Sequence, residues 1–407
     1  MVESSLSPGS PQTTRPSRLP SLTGMRFIAA FLVLITHGID ANLFSSASMR
    51  STYASVVLIA GLAGVTYFFI LSGFILTYVQ RTTDTAKAFW WRRFLKIYPT
   101  HLITLVGALL LVSFVLGRAI NGGTATLHFL LIQSYFPQFD VRTIFNGPAW
   151  SLSCEVTFYL CFPLLARYIG RIRPERLWAW AGVVVAAIFA MPLLAKVVLP
   201  GQAPMPGFGM SELEFWFVAQ FPPVRMLEFV FGIILARIVL TGRKLPLNLP
   251  AAAALTVIVY VMTPLFPLSY NVVAVEVIPL GLVIAASAVR DASGRPSWLG
   301  SRPMLWLGNV SYAMFMSHYL IVVYVRQLFG SPEGWSTPMG FLMLGVLFAI
   351  TLLVSWMLFR LVEDPIMKRF ASSKSRPRHA APPPPPAAGP PAETPGPVAS
   401  AASSIVP

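Results

Sequence analysis

Apolar runs of about twenty residues, separated by short polar and basic segments, recur from one end of the chain to the other. A helix needs roughly 20 apolar residues to cross a bilayer, and only helices or closed barrels satisfy their backbone polar groups there. The pattern predicts ten spans, near 25–44, 57–79, 101–120, 148–169, 177–199, 224–240, 249–266, 271–289, 304–325 and 338–360. The expected fold class is therefore all-α, a polytopic membrane protein. The stretch 124–136 (TATLHFLLIQSYF) is too short to cross and is expected to lie at the interface or to re-enter. Residues 1–20, rich in Ser, Pro and Thr, read as a disordered leader. Residues 371–407, with a proline run from Pro382 to Pro386, read as a disordered Pro/Ala-rich tail. One membrane domain, 21–370, remains between them.

Composition supports this reading. Of 407 residues 55% are hydrophobic and 11% charged, whereas soluble domains carry about 25% charged residues. The net charge of +15 alone would suggest nucleic acid. Placed on ten spans, however, most of the 30 Lys and Arg residues fall on the side that holds both termini. Such a bias orients a membrane protein with that side in the cytoplasm. The expected setting is a cell (plasma) membrane, crossed several times, with the lipid bilayer as partner and no nucleic acid. The first apolar run lacks a small-residue cleavage site, so no signal peptide is read there. Cys154 and Cys161, seven apart on one predicted helix, read as unpaired thiols, and His and Cys spacing suggests no metal site. Oligomeric state has no signature in the sequence.

The polar residues inside apolar spans carry the chemistry. Arg26 and His37 share the first span (MRFIAAFLVLITHG). Eleven residues make about three helical turns, so both lie on one face, about 16 Å apart along the axis. Ionisable groups in a bilayer are costly and usually face a cavity. The second span holds Ser72 and Gly73, either a close helix approach or a channel lining. A basic loop, FWWRRFLKIYPTHL, carries Arg93 and Lys96 three apart, either a positive-inside anchor or a clamp for phosphates. The fourth span begins PAWSLSCEVTFYL and brings Ser151, Ser153 and Glu155, with Arg142, Arg225 or His37 as possible partners of the carboxylate. Arg225 and Glu228 read as an intrahelical pair, and Glu276 precedes Pro279, where a kink is expected. His318, in LGNVSYAMFMSHYLIV, reads as a packing histidine or a catalyst. Glu363, in VEDPIMKRF, reads as a local charge pair or a weaker site candidate.

Together LTGMRF…LITHG, FFILSGFILT, RFLKIYP, PAWSLSCEVTFYL, NVSYAMFMSHY and VEDP resemble the acyltransferase-3 family of integral membrane O-acyltransferases, in the family's order and over about residues 20–370. Lys96 stands where the family's R-x-x-R has its second arginine. The opening LPSLTGMRF looks most like the actinobacterial branch, which includes enzymes acylating macrolides as well as glycan modifiers. The hydrolase-like domain fused to some relatives is not seen. The resemblance implies transfer of an acyl group, most commonly acetyl, from acyl-CoA to a hydroxyl of a carbohydrate or glycosylated small-molecule acceptor. It implies His37 as general base or transient acyl carrier, with Arg26, Arg93 and Lys96 at the phosphates of coenzyme A. Arg26 alternatively orients the thioester or stabilises its oxyanion. Glu155 and Ser153 are expected to position the acceptor near the outer end. Two other classes remain open, a transporter of a small organic anion or acylated glycan and a scaffold for glycan export, neither of which would consume acyl groups.

Overall fold

A computed structural model describes residues 19–80, 84–199, 203–205, 209–329 and 333–371. Most of the proposed leader and all but the first residue of the proposed tail lie outside the described residues. Within them the chain is mostly helical, joined by turns and loops, and the one β-type pairing is a single bridge between Phe44 and Trp335. The long helices are α1 (Pro20–Thr36), α2 (Ala47–Tyr78), α3 (Ala86–Phe114), α4 (Ala149–Gly170) and α5 (Leu177–Val198). They continue as α6 (Pro222–Leu240), α7 (Leu249–Met262), α8 (Val277–Ala292), α9 (Arg302–Tyr319) and α10 (Thr337–Leu358).

Among the described residues, five segments are long and apolar enough to cross a membrane: Ala47–Tyr78, Ala86–Phe114, Ala149–Gly170, Pro174–Val198 and Thr337–Phe370. The other helices are shorter or more polar, because turns and π segments interrupt the apolar runs. The expected span 271–289 is one such case. A four-residue helix, Leu268–Asn271, is followed by a break before α8 begins at Val277. Pro279 falls in the first turn of α8, where its missing N–H would have had no partner, so it starts a helix instead of kinking one. The basic loop also needs correction. FWWRRFLKIYPTHL is the first half of α3, with Pro99 inside the helix. Neighbouring membrane helices tolerate such a proline because they support the freed carbonyl. Between α3 and α4 the chain forms only short elements, Gly122–Phe129, Gln133–Tyr135 and Phe139–Thr143. They bury His128, Gln133 and Ser134 and expose Phe129, Leu130, Ile132 and Phe136, the pattern of an interfacial segment.

Close backbone approaches hold the centre together. A methyl group added at Gly73 would sit 2.0 Å from the Phe229 carbonyl oxygen, and one at Gly232 would sit 2.0 Å from that of Ile70. Helices α2 and α6 therefore cross at backbone contact, which only glycine at both positions allows. Gly308 on α9 approaches the Thr23 carbonyl of α1 equally closely. Arg225 and Glu228 are both buried and pair at 3.0 Å. Thr66 donates to Glu228 at 3.0 Å and accepts from Arg225 at 3.2 Å, which ties α2 to α6 by hydrogen bonds as well.

Candidate active site

Helix α1 carries polar groups at both ends, and its neighbours build a different environment around each. At the Arg26 end a cavity of about 150 Å³ opens among α1, α2, α3, α4 and α9. Its polar lining comprises Arg26, Ser72, Arg93, Lys96, Ser151, Glu155, Tyr159 and Tyr312, with Phe68, Phe69 and Phe315 among the apolar walls. Each helix contributes by simple periodicity. Arg93 and Lys96 are three apart on α3, and Ser151, Glu155 and Tyr159 recur every fourth residue on α4, so each set shares a face.

The electrostatic neighbours of Glu155 are Arg26, Arg93 and Lys96, and Tyr159 lines the same cavity one helical turn along α4. The expected partners are engaged elsewhere. Arg225 pairs with Glu228, and Arg142 lies 3.6 Å from Glu212. Glu155 thus joins the basic cluster. Ser72 donates to the Tyr159 hydroxyl at 3.3 Å. Of the two uses read for Ser72 and Gly73, both occur: the glycine makes the helix contact and the serine lines the cavity. Arg93 stacks its guanidinium over Phe89 and Tyr159, 5.8 and 6.0 Å from the ring centres. Its Nε has no hydrogen-bond partner among the described residues. Lys96 sits 5.6 Å from the centre of the Tyr312 ring and pairs with Glu363.

Glu363 reaches Lys96 because α10 ends in a π segment, Phe359–Glu363, that turns the carboxylate inward to near-complete burial. Sequence spacing shows Glu363 beside the basic residues that follow it. In the structure Asp364 takes Lys368 at 2.7 Å and Glu363 takes the cavity lysine. Ser153 is fully buried, lies outside the cavity lining and has no partner for its hydroxyl among the described residues. Two residues along α4 from Ser151 is about 200° around the helix, so Ser153 points away from the face that Ser151 and Glu155 share.

At the other end, His37 caps α1. Its Nδ1 lies 2.8 Å from an Asp40 carboxylate oxygen, and the two side chains are 21% and 48% exposed. The helix end is pinned around them. Thr36 donates to the Leu32 and Val57 carbonyls, and the Tyr53 hydroxyl donates to that of Ile35. The His37 ring lies 5.0 Å from that of Tyr319, edge to face, and 5.2 Å from that of His318. His318 is fully buried where α9 gives way to a π segment, Leu320–Tyr324. π segments are frequent at functional sites.

The cavity lining stops short of His37. Phe68 and Phe315 stand between, edge to face at 5.6 Å, with the Phe315 ring 5.8 Å from that of His318. The two ends are linked in sequence by α1 and in space by the series Phe315, His318, His37. Tyr312 lies in the ninth expected span among its polar residues, whereas Asp40, Tyr159 and Phe315 carry no such mark in the sequence pattern. Of those three only Asp40 carries a local signal, a carboxylate three residues after the histidine in HGID.

A helical membrane domain with three cations, two carboxylates and a ring-lined cavity suits an enzyme that handles an anionic substrate inside its membrane region. The chain belongs to the acyltransferase-3 family, whose model, described as an acyltransferase domain, matches residues 19–360. It is 34% identical over 376 residues to acyltransferase MdmB of Streptomyces mycarofaciens, an alignment covering 90% of this chain and 96% of that protein. It is 24% identical over 391 residues to peptidoglycan O-acetyltransferase OatA of Listeria monocytogenes, covering 88% of this chain and 57% of that protein. O-acetyltransferase OatA of Staphylococcus aureus strain NCTC 8325 is 23% identical over 379 residues, with 87% and 58% covered. The chain therefore spans little more than half the length of the OatA proteins. The protein is an acyltransferase embedded in a membrane.

Proposed function

We propose that the protein transfers an acyl group, most often acetyl, from acyl-CoA to a hydroxyl of a sugar-containing acceptor, a glycosylated natural product such as a macrolide or a surface polysaccharide. The observation that carries this reading is the gathering of Arg26, Arg93 and Lys96 around one cavity, with the His37–Asp40 pair at the far end of the same α1 helix. Coenzyme A is a cytoplasmic polyanion. In the proposed topology of ten spans with both termini cytoplasmic, its phosphates meet the three cations, and its pantetheine arm carries the thioester along α1 past Phe315. Arg26 stands about 16 Å along the helix from His37. That separation assigns it to the donor's phosphates and leaves the oxyanion to other groups. Glu155 sets the charge and orientation of this cluster.

His37 is the general base. Asp40 holds the hydrogen on Nδ1, which leaves Nε2 free to take the proton of the acceptor hydroxyl. The oxygen attacks the thioester carbonyl, the carbon–oxygen bond forms and a tetrahedral intermediate results. As the carbon–sulfur bond breaks, the coenzyme A sulfur takes the proton back from the imidazole. The products are the ester and free coenzyme A. Acceptor entry from the side opposite the donor suits a surface glycan, and entry from the cytoplasm suits an intracellular macrolide.

The test uses membranes containing the full chain, labelled acetyl-CoA, and macrolide and glycan acceptors. Wild type is expected to release coenzyme A thiol in step with label transfer, and His37→Ala to do neither at normal protein level. Label transfer by His37→Ala would remove the histidine from the mechanism. Movement of a small organic anion across the membrane without thiol release would favour a transporter instead.

A further inference from the structure

Two imidazoles lie side by side at the His37 end, and their hydrogen bonds leave the same nitrogen bare on each. His318 Nδ1 is 2.8 Å from the Phe315 carbonyl oxygen and 3.2 Å from that of Met314. Carbonyl oxygens only accept, so Nδ1 carries the hydrogen, and Nε2 of the neutral ring is an acceptor. That Nε2 has no partner among the described residues, although the side chain is fully buried. A buried acceptor left without a donor is destabilising, and native proteins keep few of them without a functional reason. At His37 the same logic applies, because Asp40 holds the Nδ1 hydrogen at 2.8 Å and Nε2 is again an acceptor. The ring centres are 5.2 Å apart. Two acceptors cannot satisfy one another. A ligand that offers hydroxyl donors to both nitrogens would satisfy them.

We infer that His318 is a second acceptor-binding residue, whose Nε2 receives a hydrogen bond from a hydroxyl adjacent to the one that reacts at His37. The ligand class this selects is a molecule with neighbouring hydroxyls, as on a carbohydrate ring. One hydroxyl gives its proton to His37 while the second fixes the orientation of the ring. A simple monohydric alcohol satisfies only one nitrogen. The inference rests on the proposed function, since it takes His37 as the base, and it adds what that base selects. Phe315, packed against His318, lines the basic cavity and so lies between it and this hydroxyl site.

The experiment compares wild type, His318→Phe and His318→Gln in membranes, with labelled acetyl-CoA and tylosin, a macrolide bearing several free sugar hydroxyls. Removing one hydrogen bond to a buried acceptor site is expected to raise the KM for tylosin about tenfold in the Phe variant. The KM for acetyl-CoA should change by less than about twofold. Gln, whose amide oxygen accepts the same bond, should recover most of the loss. An unchanged tylosin KM in the Phe variant, or equal losses in the Phe and Gln variants, would overturn the assignment. A second readout needs no turnover. In nitrogen-15 histidine-labelled protein in lipid nanodiscs, the His318 Nε2 resonance should be that of an unprotonated acceptor and should move when tylosin is added. A protonated Nε2, or a resonance that tylosin leaves in place, would sink it. If wild type does not acylate tylosin at all, that counts against the proposed function with this acceptor, and the resonance still decides the role of His318.

Discussion

The two ends of α1 are built from opposite materials. Around Arg26 the neighbours supply two more cations, two carboxylates and stacked aromatic rings, so charge is concentrated and compensated inside the bundle. Around His37 they supply one carboxylate and two rings, and the histidine stays partly open. A cluster of cations with stacked guanidinium and ammonium groups is suited to gripping an anion. An imidazole oriented by a carboxylate is suited to moving a proton. Under the proposed function, one helix holds the donor at one end and acts on it at the other, with an aromatic pair between.

If that division holds, substitutions at the two ends should fail differently. The largest effect belongs to His37→Ala, where loss of a general base costs about 10²- to 10⁴-fold in kcat, read as label transfer with donor binding intact. At the opposite end Arg93→Gln removes a cation that makes no direct ion pair among the described residues and leaves the Lys96–Glu363 pair in place. Loss of a charge-assisted contact to phosphate should raise the acetyl-CoA KM about 10- to 100-fold with little change in kcat. A lowered kcat with unchanged KM there would break the comparison. Asp40→Asn sharpens it. Asp40 is partly exposed, so kcat should fall about tenfold while the acetyl-CoA KM stays within about twofold, and Asp40→Glu should retain part of the activity. A loss shared equally by Asn and Glu would mean that Asp40 only caps the chain.

The smallest effect is expected outside both ends, in the interfacial segment. Burial pushes the His128 imidazole from about 6.5 down to about 4, against the opposing pull of its hydrogen bond to the Val141 carbonyl. Because the folded value lies below the unfolded one, unfolding takes up a proton between them, and stability falls as pH drops from about 6.5 towards about 4. Protection factors over residues 122–145, with the intrinsic pH dependence of amide exchange divided out, should fall as pH drops through that window, and His128→Gln should flatten the dependence. Wild-type protection factors that do not change with pH would contradict it.

Much of this division was legible in the chain itself. The eleven-residue spacing of Arg26 and His37, the three-residue spacing of Arg93 and Lys96, and the small pair Ser72-Gly73 all follow from helix periodicity, a local property. What local pattern cannot supply is which helices meet. Glu155 was offered three partners, and the structure surrounds it with three others, because the approach of α1 and α3 to α4 is decided by long-range packing. Ser153 is the nearer serine to Glu155 in sequence, yet the face of α4 turned towards the cavity carries Ser151. The basic stretch reads as a loop ahead of the next apolar run, yet it continues into that run as one helix through Pro99, a proline that neighbouring membrane helices tolerate. Tyr159, Tyr312 and Phe315 look like any aromatic residues in an apolar run, and only the cavity distinguishes them.

The central claim is that a donor gripped near Arg26 delivers its thioester to His37. The most direct measurement is a structure of the full chain in lipid nanodiscs with a non-hydrolysable acetyl-CoA analogue. The account predicts phosphates against Arg26, Arg93 and Lys96, Phe315 displaced, and the carbonyl carbon beside His37 Nε2. An analogue whose carbonyl remains on the cavity side of an unmoved Phe315, or whose phosphates bind away from the three cations, would contradict it.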